Sequence, residues 1–335
     1  LSGGQKQRLI TASTLAMGQK IVILDEPLAN LDTAGAEMLM STLKSLAKAG
    51  YCIVVIEHRL DVVLPFVDKV FHVGGKRVRE IKDKESYLKE QSVEISDSCA
   101  VFCGGQPVFS LSDVAFSVKE RDILNGVSFD ILKGSRAVLL GENGCGKTTL
   151  LRLISRLEKP TRGVILQNIS GKFGQKSKQS KKWYKKVGVV YQNPDYQLFM
   201  PTVEKEIKFG AKSDEYADEI AEKFGVKHLY VRHPHSLSEG QKRRVSIAAV
   251  VATKPEVLIL DEPTVGQDYK GLCEMVEVLN GIHEETHNTM ITVTHDKRCA
   301  AALCDRAVWI KDGKTYKTGD KQLIDEFFTI RQDKS

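Results

Sequence analysis

The chain has 335 residues, of which 42% are hydrophobic and 27% are charged, a composition typical of a globular protein with room for two domains. Its net charge of +6 is too small to indicate nucleic acid as a partner, and no run of eighteen or more apolar residues predicts a membrane span. The seven cysteines lack the paired spacing of a metal site and are typical of reduced thiols.

Three short motifs follow one another in the first sixty residues. LSGGQ occupies residues 1–5, IVILDEP carries Asp25 and Glu26, and VVIEHR carries His58. The stretch from residue 82 to residue 107 then indicates a short helix followed by a polar linker.

A glycine-rich loop follows an apolar run at residues 137–140 and leads into a helical pattern. Strand, loop and helix in this order are the context of a phosphate-binding motif, in which backbone N–H groups and the helix N-terminus face phosphate oxygens. We expect Lys147 to reach the β- and γ-phosphates and Thr148 to bind Mg²⁺. The predicted nucleotide-binding residues here are Gly141, Glu142, Asn143, Gly144, Cys145, Gly146, Lys147, Thr148 and Thr149.

In this half of the sequence, one cysteine and one basic stretch each have two interpretations, and one further segment has a structural interpretation. Cys145 is either a small residue that fills the loop or a thiol activated by the helix N-terminus. The basic stretch at residues 171–186 is either a solvated surface loop or a contact to nucleic acid or anionic lipid. Helical spacing predicts one apolar helix face for Ala217, Ile220, Ala221 and Phe224.

The three motifs of the first half then recur in the same order, at the same spacings to within one residue. LSEGQ occupies residues 237–241, VLILDEP carries Asp261 and Glu262, and MITVTHD carries His295. Asp261 is suited to hold Mg²⁺ through water, Glu262 to act as general base, and His295 to hold the γ-phosphate and the attacking water. The recurrence indicates two copies of one module, arranged head to tail.

The second copy is complete, since it runs from residue 107 to residue 331, after a linker over residues 96–106. The first copy contains only the C-terminal part of the module, residues 1–95. We therefore expect the chain to be a fragment that lacks the start of its first copy, and a natural half-module is the alternative.

The combination of glycine loop, LSGGQ signature, LDEP and following histidine resembles the ATP-binding cassette (ABC) ATPases over nearly the whole chain. The resemblance implies an α/β fold of the P-loop NTPase type, in two copies of which the first is incomplete. Each complete copy would contain a RecA-like core sheet, a helical signature subdomain and an antiparallel β subdomain. It also implies ATP and Mg²⁺ as cofactors, and an ATP site that joins the glycine loop of one module to the signature of a second module, in cis or in a dimer.

The family's motifs assign further residues by position. Gln192 matches the Q-loop glutamine and joins Glu262 and His295 among the catalytic residues. The Mg²⁺ ligands implied are Thr148, Gln192 and Asp261. The signature and D-loop positions that contact ATP are Ser2, Gly3, Gly4, Gln5, Ser238, Gly240, Asp32 and Asp268. The first-copy counterparts of the carboxylates and the histidine are Asp25, Glu26 and His58.

Two positions depart from the family pattern. Val118 stands where adenine usually stacks on an aromatic ring, an interaction worth about 1–3 kcal/mol for bases on aromatic side chains. Phe116 lies on the same face of that strand and is either a substitute stacking partner or a core residue. Glu239 replaces a signature glycine, and its carboxylate either repels the γ-phosphate or is tolerated.

The stretch YQNPDYQLFMPTVEKEIKFG is similar to the ATPases of energy-coupling factor (ECF) transporters, which import vitamins and metal ions. The implied function is ATP hydrolysis that powers solute import, at the cytoplasmic face of the cell membrane. The implied partners are a transmembrane scaffold subunit and a substrate-binding membrane subunit, with Asp195, Gln197 and Phe199 lining the docking groove. No nucleic acid is expected as a partner; the alternative function is a non-transport tandem ABC ATPase acting on ribosomes or nucleic acid.

Overall fold

The computed structural model of the chain describes residues 3–28, 31, 33–91, 105–119, 121–169, 172–174 and 181–332. The chain forms two compact units. Among the described residues, the first contains those up to 91 together with 266–269, and the second contains those of 105–265 and 270–332. None of the helices among the described residues is both long enough and apolar enough to cross a membrane.

The first unit contains four helices and four strands among its described residues. In chain order they are α1 (Gly3–Ala16), β1 (Ile21–Asp25), α2 (Thr33–Lys48), β2 (Cys52–Ile56), α3 (Leu60–Val63), β3 (Val70–Gly74), β4 (Arg77–Ile81) and α4 (Lys84–Gln91). The strands β1 and β2 pair in parallel, whereas β3 and β4 form an antiparallel hairpin.

Alternation of side chains across β1 determines what the first unit buries. Val22 and Leu24 pack into a core with Leu28 and with Met40 of α2. The intervening isoleucines of β1 point to the opposite face, where Ile23 is 66% exposed. The sheet formed by β1 and β2 is therefore covered on one face and, among the described residues, open on the other.

The second unit begins with two long strands and continues as an alternation of strands and helices. Its elements are β5 (Pro107–Val118), β6 (Arg121–Leu132), β7 (Arg136–Leu140), α5 (Lys147–Ile154), β8 (Arg162–Ile169), β9 (Lys172–Gly174), α6 (Lys181–Tyr184), β10 (Val187–Val190), α7 (Val203–Lys208), α8 (Asp214–Lys223), α9 (Glu239–Ala252), β11 (Val257–Asp261), α10 (Tyr269–Thr286), β12 (Thr289–Val293), α11 (Lys297–Leu303), β13 (Arg306–Lys311), β14 (Lys314–Asp320) and α12 (Lys321–Gln332).

Six strands of the second unit form the central sheet, in the order β10-β11-β12-β7-β13-β14. All neighbours in it are parallel except β13 and β14. The strands β7, β11 and β12 are buried along their whole length, as expected for parallel strands covered on both faces. A second, antiparallel sheet has the order β6-β5-β8-β9, and one core joins the strands of both sheets with α5.

A helical region made of α7, α8 and α9 lies between β10 and β11 in the chain. The predicted apolar face of α8 is confirmed, because Ala217, Ile220 and Ala221 are fully buried and Phe224 is nearly so. The side chain of Ser213 caps the start of α8 by accepting a hydrogen bond from the N–H of Tyr216.

The two units share one order of elements. The first unit runs helix, strand, helix, strand, helix, hairpin and helix from α1 to α4, and the second repeats this order from α9 to α12. The equivalent strands β1 and β11 both lead into the sequence DEP. In the second unit, β7 separates β12 from β13 in the sheet, whereas β2 and β3 of the first unit belong to separate two-stranded sheets.

Candidate active site

The glycine loop connects the buried strand β7 to helix α5 through a closely packed turn. Gly146 adopts a φ of 102°, and a Cβ there would lie 2.5 Å from Leu124 Cδ2. At Gly141 a Cβ would lie 2.4 Å from Cys145 Sγ and 2.5 Å from Ile310 O. Both positions therefore require glycine, which leaves the backbone of the loop accessible for phosphate oxygens at the start of α5.

Lys147 is the first residue of α5, and its side chain folds back along the loop. Its Nζ donates hydrogen bonds to Gly141 O at 2.8 Å and to Glu142 O at 3.0 Å. The ammonium group is nearly buried and is held against the backbone that precedes it. A positive charge is thereby placed where the loop can present it to an anionic group.

Asp261 and Thr148 meet beside the loop because β7, β12 and β11 are neighbouring parallel strands whose carboxyl ends lie at one edge of the sheet. Asp261 ends β11 and is 6% exposed, and burial raises its pKa to about 6 against the opposing charges of Arg243 and Lys147. The hydroxyl of Thr148 donates a hydrogen bond to this carboxylate. Two oxygen ligands of the kind that Mg²⁺ prefers are therefore adjacent.

This small ligand set fits Mg²⁺. No group of three or more His, Cys, Asp and Glu side chains within the described ranges is arranged to hold a metal. Magnesium is usually bound by one or two protein oxygens together with substrate phosphates and water, and it does not need a cage of protein ligands.

Glu262 follows Asp261 in a turn with a left-handed backbone, at φ 52°. Burial and the neighbouring charge of Asp261 raise the pKa of Glu262 to about 8. The backbone N–H of His295 donates to its Oε2 at 3.2 Å, and the ring Nε2 of His295 lies 3.5 Å from its Oε1. A carboxylate with a raised pKa and an adjacent imidazole is suited to accept a proton from a bound water.

The first unit contains the same pair in a more exposed setting. Glu26 also has a positive φ, of 45°, and its partner His58 places Nε2 3.5 Å from Glu26 Oε1. The hydrogen bond between them lowers the pKa of Glu26 and raises that of His58. Asp25 ends β1 and is exposed.

Gln192 lies after β10 with an exposed side chain, and its main chain is fixed by a residue that the sequence did not indicate. Arg243 of α9 donates from one guanidinium nitrogen to Tyr191 O at 2.7 Å and from the other to Gln192 O. Arg243 is 3% exposed. The sequence signal for Arg243 is its difference from Gln7, which stands at the equivalent position of the helix that begins in LSGGQ.

The signature variant Glu239 lies in the first turn of α9, whose start is capped by Ser238 and Gln241. The carboxylate of Glu239 pairs with Lys242 Nζ at 2.9 Å, and the same ammonium lies 3.0 Å from Asp195 Oδ1. The positive charge of Lys242 offsets the negative charge of Glu239. This pairing favours a tolerated variant over a carboxylate that repels phosphate.

The side chains expected at the docking groove and at the adenine position differ in their burial. Gln197 is half-buried, and two hydrogen bonds hold its side chain: Oε1 accepts from Tyr191 N and Nε2 donates to Ser246 O, both at 3.3 Å. Phe199 is 65% exposed. Phe116 packs against the core, whereas Val118 is half-exposed.

Burial also separates the alternatives for two other side chains. It raises the pKa of the Cys145 thiol, which opposes a reactive thiolate. Within the basic stretch, Trp183 is buried and donates from Nε1 to Gln167 Oε1 at 2.9 Å, so its ring is not presented for base stacking.

The remaining predicted residues fall into three groups. Ser2 and Asp32 lie outside the described residues. Gly3, Gly4 and Gln5 form the start of α1, and Asp268 is exposed. The second unit brings together the glycine loop, which contains Asn143, Gly144 and Thr149, the carboxylates at the end of β11 and the histidine after β12. Gly240 lies in the first turn of α9.

Comparison with known proteins places this arrangement in a family. The family model described as ABC transporter matches residues 124–265. YkoD of Bacillus subtilis (strain 168), an ATP-binding protein named for HMP/thiamine import, is 31% identical over 97% of this chain and 67% of its own length. The chain belongs to the ABC transporter ATP-binding proteins. An ABC transporter ATP-binding protein of Methanosarcina mazei is 32% identical over 94% of this ABC ATPase and 65% of its own length.

Solved structures agree with the family and the fold. The structure of cbiO1 from Clostridium perfringens, part of the ABC transporter complex cbiONQ, is 31% identical, with a TM-score of 0.57 over 68% of this chain and 94% of that one. A dimeric ATP-binding cassette in a post-hydrolysis state, bound to ADP and Pi, is 26% identical, with a TM-score of 0.56 over 64% of this chain and 98% of that one. This ABC ATPase has the P-loop fold of an ATP-hydrolysing family, and it spans about two thirds of the length of its curated relatives.

Proposed function

We propose that the second unit binds ATP with Mg²⁺ at its glycine loop and hydrolyses it with Glu262 as general base. The observation that carries this proposal is the edge of the central sheet, where Lys147, Asp261, Glu262 and His295 follow neighbouring strands. Backbone N–H groups of residues 141–149 and the ammonium of Lys147 would hold the β- and γ-phosphates.

The oxygens of Thr148, Asp261 and Gln192 would hold Mg²⁺, which neutralises phosphate charge when it is bound. Glu262 would take a proton from a water whose oxygen bonds to the γ-phosphorus as the bond to the bridging oxygen breaks. His295, hydrogen-bonded to Glu262 through its backbone, would hold the water and the γ-phosphate in line.

We also infer two modules from the recurring elements and motifs, the first of them incomplete, over residues 1–95 and 107–331 with a linker at 96–106. The identical order of elements from α1 to α4 and from α9 to α12 supports this inference. In the pairing that the family resemblance implies, Ser2, Gly3, Gly4, Gln5 and Asp32 serve the glycine loop of a second module, in cis or in a dimer. The residues Ser238, Gly240 and Asp268, with Asp25, Glu26 and His58, would belong to the opposite site.

For the whole protein we propose a peripheral ATPase at the cytoplasmic face of the membrane that powers solute import, of the ECF type for vitamins or metal ions. The names of its relatives support import, since one is named for HMP/thiamine import and another is part of a transporter complex. The partners would be a transmembrane scaffold subunit and a substrate-binding membrane subunit.

An exposed aromatic pair supports a membrane partner. Phe199 and Phe209 are 65% and 57% exposed, and their rings meet edge to face at 5.3 Å between centroids. Tyr196, which precedes α7, and Val231, between α8 and α9, are also exposed. An apolar surface of this kind favours the docking of an apolar partner helix.

Affinity purification from membranes tests the transport proposal. The tagged chain should recover integral membrane proteins from its native cells, and Phe199→Ala with Phe209→Ala should reduce their recovery at least about tenfold, because hot-spot aromatic side chains carry much of such interfaces. The matched control is Tyr184→Ala, an exposed aromatic outside the helical region. Recovery of ribosomes in place of membrane proteins, unaffected by the paired variant, would contradict the transport proposal.

A further inference from the structure

Three side chains tie the segment after β10 to the signature helix α9. We call residues 191–197 the Q-loop segment. Arg243 provides the first tie, through its hydrogen bonds to the carbonyl oxygens of Tyr191 and Gln192. Gln197 provides the second, because it accepts from Tyr191 N and donates to Ser246 O of α9, both at 3.3 Å.

The third tie is ionic and includes the variant residue of the signature. Lys242 Nζ lies 3.0 Å from Asp195 Oδ1 of the Q-loop segment and 2.9 Å from Glu239 Oε1 in the first turn of α9. His235 Nδ1 adds a contact to Asp195 Oδ1 at 3.3 Å. The side chain of Lys242 is 11% exposed, so solvent screens this tie less than an ordinary surface pair.

Of the three side chains, Arg243 is the one whose removal should cost the most free energy. Its guanidinium is almost fully buried, and desolvation lowers its pKa while the charges of Glu262, Asp261 and Glu239 oppose that shift. A buried guanidinium costs free energy unless its hydrogen bonds are made, and two of them are made to one stretch of main chain. Loss of Arg243 would also remove the partner of two carbonyl oxygens.

The contacts between the Q-loop segment and α9 lie between the proposed partner-binding surface and the signature residues. The Q-loop segment leads directly to Phe199, on the aromatic surface proposed above for a membrane partner, while α9 begins at the signature residues 238–240. We propose that Arg243 is a positioning residue that locks the Q-loop segment to α9, so that a displacement at the partner-facing surface moves the signature loop with it. This inference rests on the proposed transport function for its biological role, although the lock itself is a property of the second unit.

The first copy differs at the positions that make the lock. Its signature helix has Gln7 where the second copy has Arg243, and Ile10 where the second copy has Ser246. The glutamine side chain is uncharged and shorter, so Arg243→Gln substitutes a residue that this helix already uses in its other copy. That variant is therefore a mild test of the lock.

The experiment measures hydrogen exchange and ATP turnover on the full chain. Arg243→Gln should raise the exchange rates of amides in peptides covering 191–199 about tenfold, the effect of losing one hydrogen bond to a charged group. Turnover should fall with the KM for ATP unchanged within about twofold, because Arg243 bonds to the Q-loop segment and not to the glycine loop. Arg243→Lys, which keeps the charge but reaches fewer carbonyl oxygens, should give intermediate exchange.

Arg244→Gln is the matched control. It removes an arginine from the next position of α9, where Nη2 pairs with Glu274 Oε2 at 3.0 Å. Exchange in peptides covering 191–199 should stay at the wild-type rate in this variant. Faster exchange throughout the helical region in both arginine variants would overturn the lock, because it would reveal general destabilisation.

A double-variant comparison tests transmission. Phe199→Ala should change the exchange of amides at 238–243 when Arg243 is present, and this change should disappear in the Arg243→Gln background. Equal changes in both backgrounds, or unchanged exchange at 191–199 in Arg243→Gln, would overturn the inference. Absence of ATP turnover in the wild-type chain would count against the proposed function alone, since the exchange measurements need no turnover.

Discussion

The two carboxylate–histidine pairs have one geometry and two environments. Nε2 lies 3.5 Å from Oε1 in both, and both glutamates have a positive φ. The side chains of Glu26 and His58 are 33% and 42% exposed, whereas those of Glu262 and His295 are 8% and 21% exposed. The pKa of Glu26 is lowered by its histidine, while burial raises that of Glu262 to about 8. The motif thus determines the geometry of the pair, and the surrounding sheet determines its acid–base chemistry.

The cause of the difference lies in the strands that precede the glutamates. Ile23 in β1 is 66% exposed, whereas its counterpart Ile259 in β11 is fully buried. Strand β11 has neighbours on both sides, β10 and β12, within a six-stranded sheet, whereas β1 has only β2 among the described strands of the first unit. The second unit therefore shields Glu262 from water, whereas the first unit leaves Glu26 partly exposed.

The largest expected contrast in stability concerns two equivalent aspartates. Asp305 is 5% exposed at its side chain and pairs with Arg136 at 3.4 Å, whereas its counterpart Asp68 is exposed. Asp305→Ala should destabilise the second unit by about 3–5 kcal/mol, because it leaves a buried guanidinium without its ionic partner. Urea unfolding followed by the fluorescence of Trp183 and Trp309, both in the second unit, measures this change.

Asp68→Ala is the matched control for that contrast. It should change the stability of the first unit by less than about 0.5 kcal/mol, because it removes an exposed side chain. Hydrogen exchange of the β1 amides measures the first unit. A larger cost for Asp68→Ala than for Asp305→Ala would contradict the comparison.

The second contrast uses identical substitutions in equivalent strands. Ile259→Ala should cost about 3 kcal/mol, since it removes a fully buried side chain from the core. Ile23→Ala should cost less than about 0.5 kcal/mol, because the side chain is mostly in solvent. The same fluorescence and exchange measurements apply, and equal costs would show that the open face of β1 is covered in solution.

The third contrast concerns the titration of His58. Glu26 raises the pKa of His58, so the pair contributes stability below the unfolded-state pKa of histidine, and this contribution is lost as the pH rises through the folded-state pKa. Because the pair is more than one third exposed, the contribution should stay below about 1 kcal/mol. In NMR titrations, Glu26→Gln should lower the pKa of His58; an unchanged value would show that Glu26 does not hold the imidazolium.

The smallest effect is expected at the signature variant. Glu239→Gly introduces the residue that LSGGQ has at Gly3, and turnover should change by less than about twofold, because Lys242 already offsets the carboxylate. A steady-state assay of phosphate release measures this. A rise of about tenfold or more would instead support repulsion between Glu239 and the γ-phosphate.

The sequence predicted those parts of the site whose chemistry depends on local patterns. The glycine loop, the carboxylates after β11 and the apolar face of α8 follow from spacing, because a loop, a strand end and a helix face are local features. Arg243 could not be predicted in this way, since a lone cation in a helix looks like a solvated surface residue. Its burial depends on tertiary contacts with the Q-loop segment.

Side-chain contacts, one of them long-range and one local, also determine the roles of Gln197 and Glu239. Gln197 faces α9 because Ser246 and Tyr191 present a carbonyl oxygen and an N–H to it. The charge of Glu239 is offset by Lys242 in the same helix turn, a pair that the sequence contains at spacing i, i+3. Lys242 is therefore visible in the sequence as a partner of Glu239, whereas Ser246 lies 49 residues from Gln197 and could not be paired with it from the sequence.

Parallel assays of phosphate release on Glu262→Gln and Glu26→Gln test the central claim most directly. If the buried pair of the second unit performs hydrolysis, Glu262→Gln should lower kcat about 100-fold or more, the usual contribution of a general base, while Glu26→Gln lowers it less than about threefold. Fluorescent-nucleotide binding should remain in both variants, because neither glutamate belongs to the glycine loop. An equal loss in the two variants, or a loss of less than about tenfold in Glu262→Gln, would contradict the assignment of catalysis to the second unit.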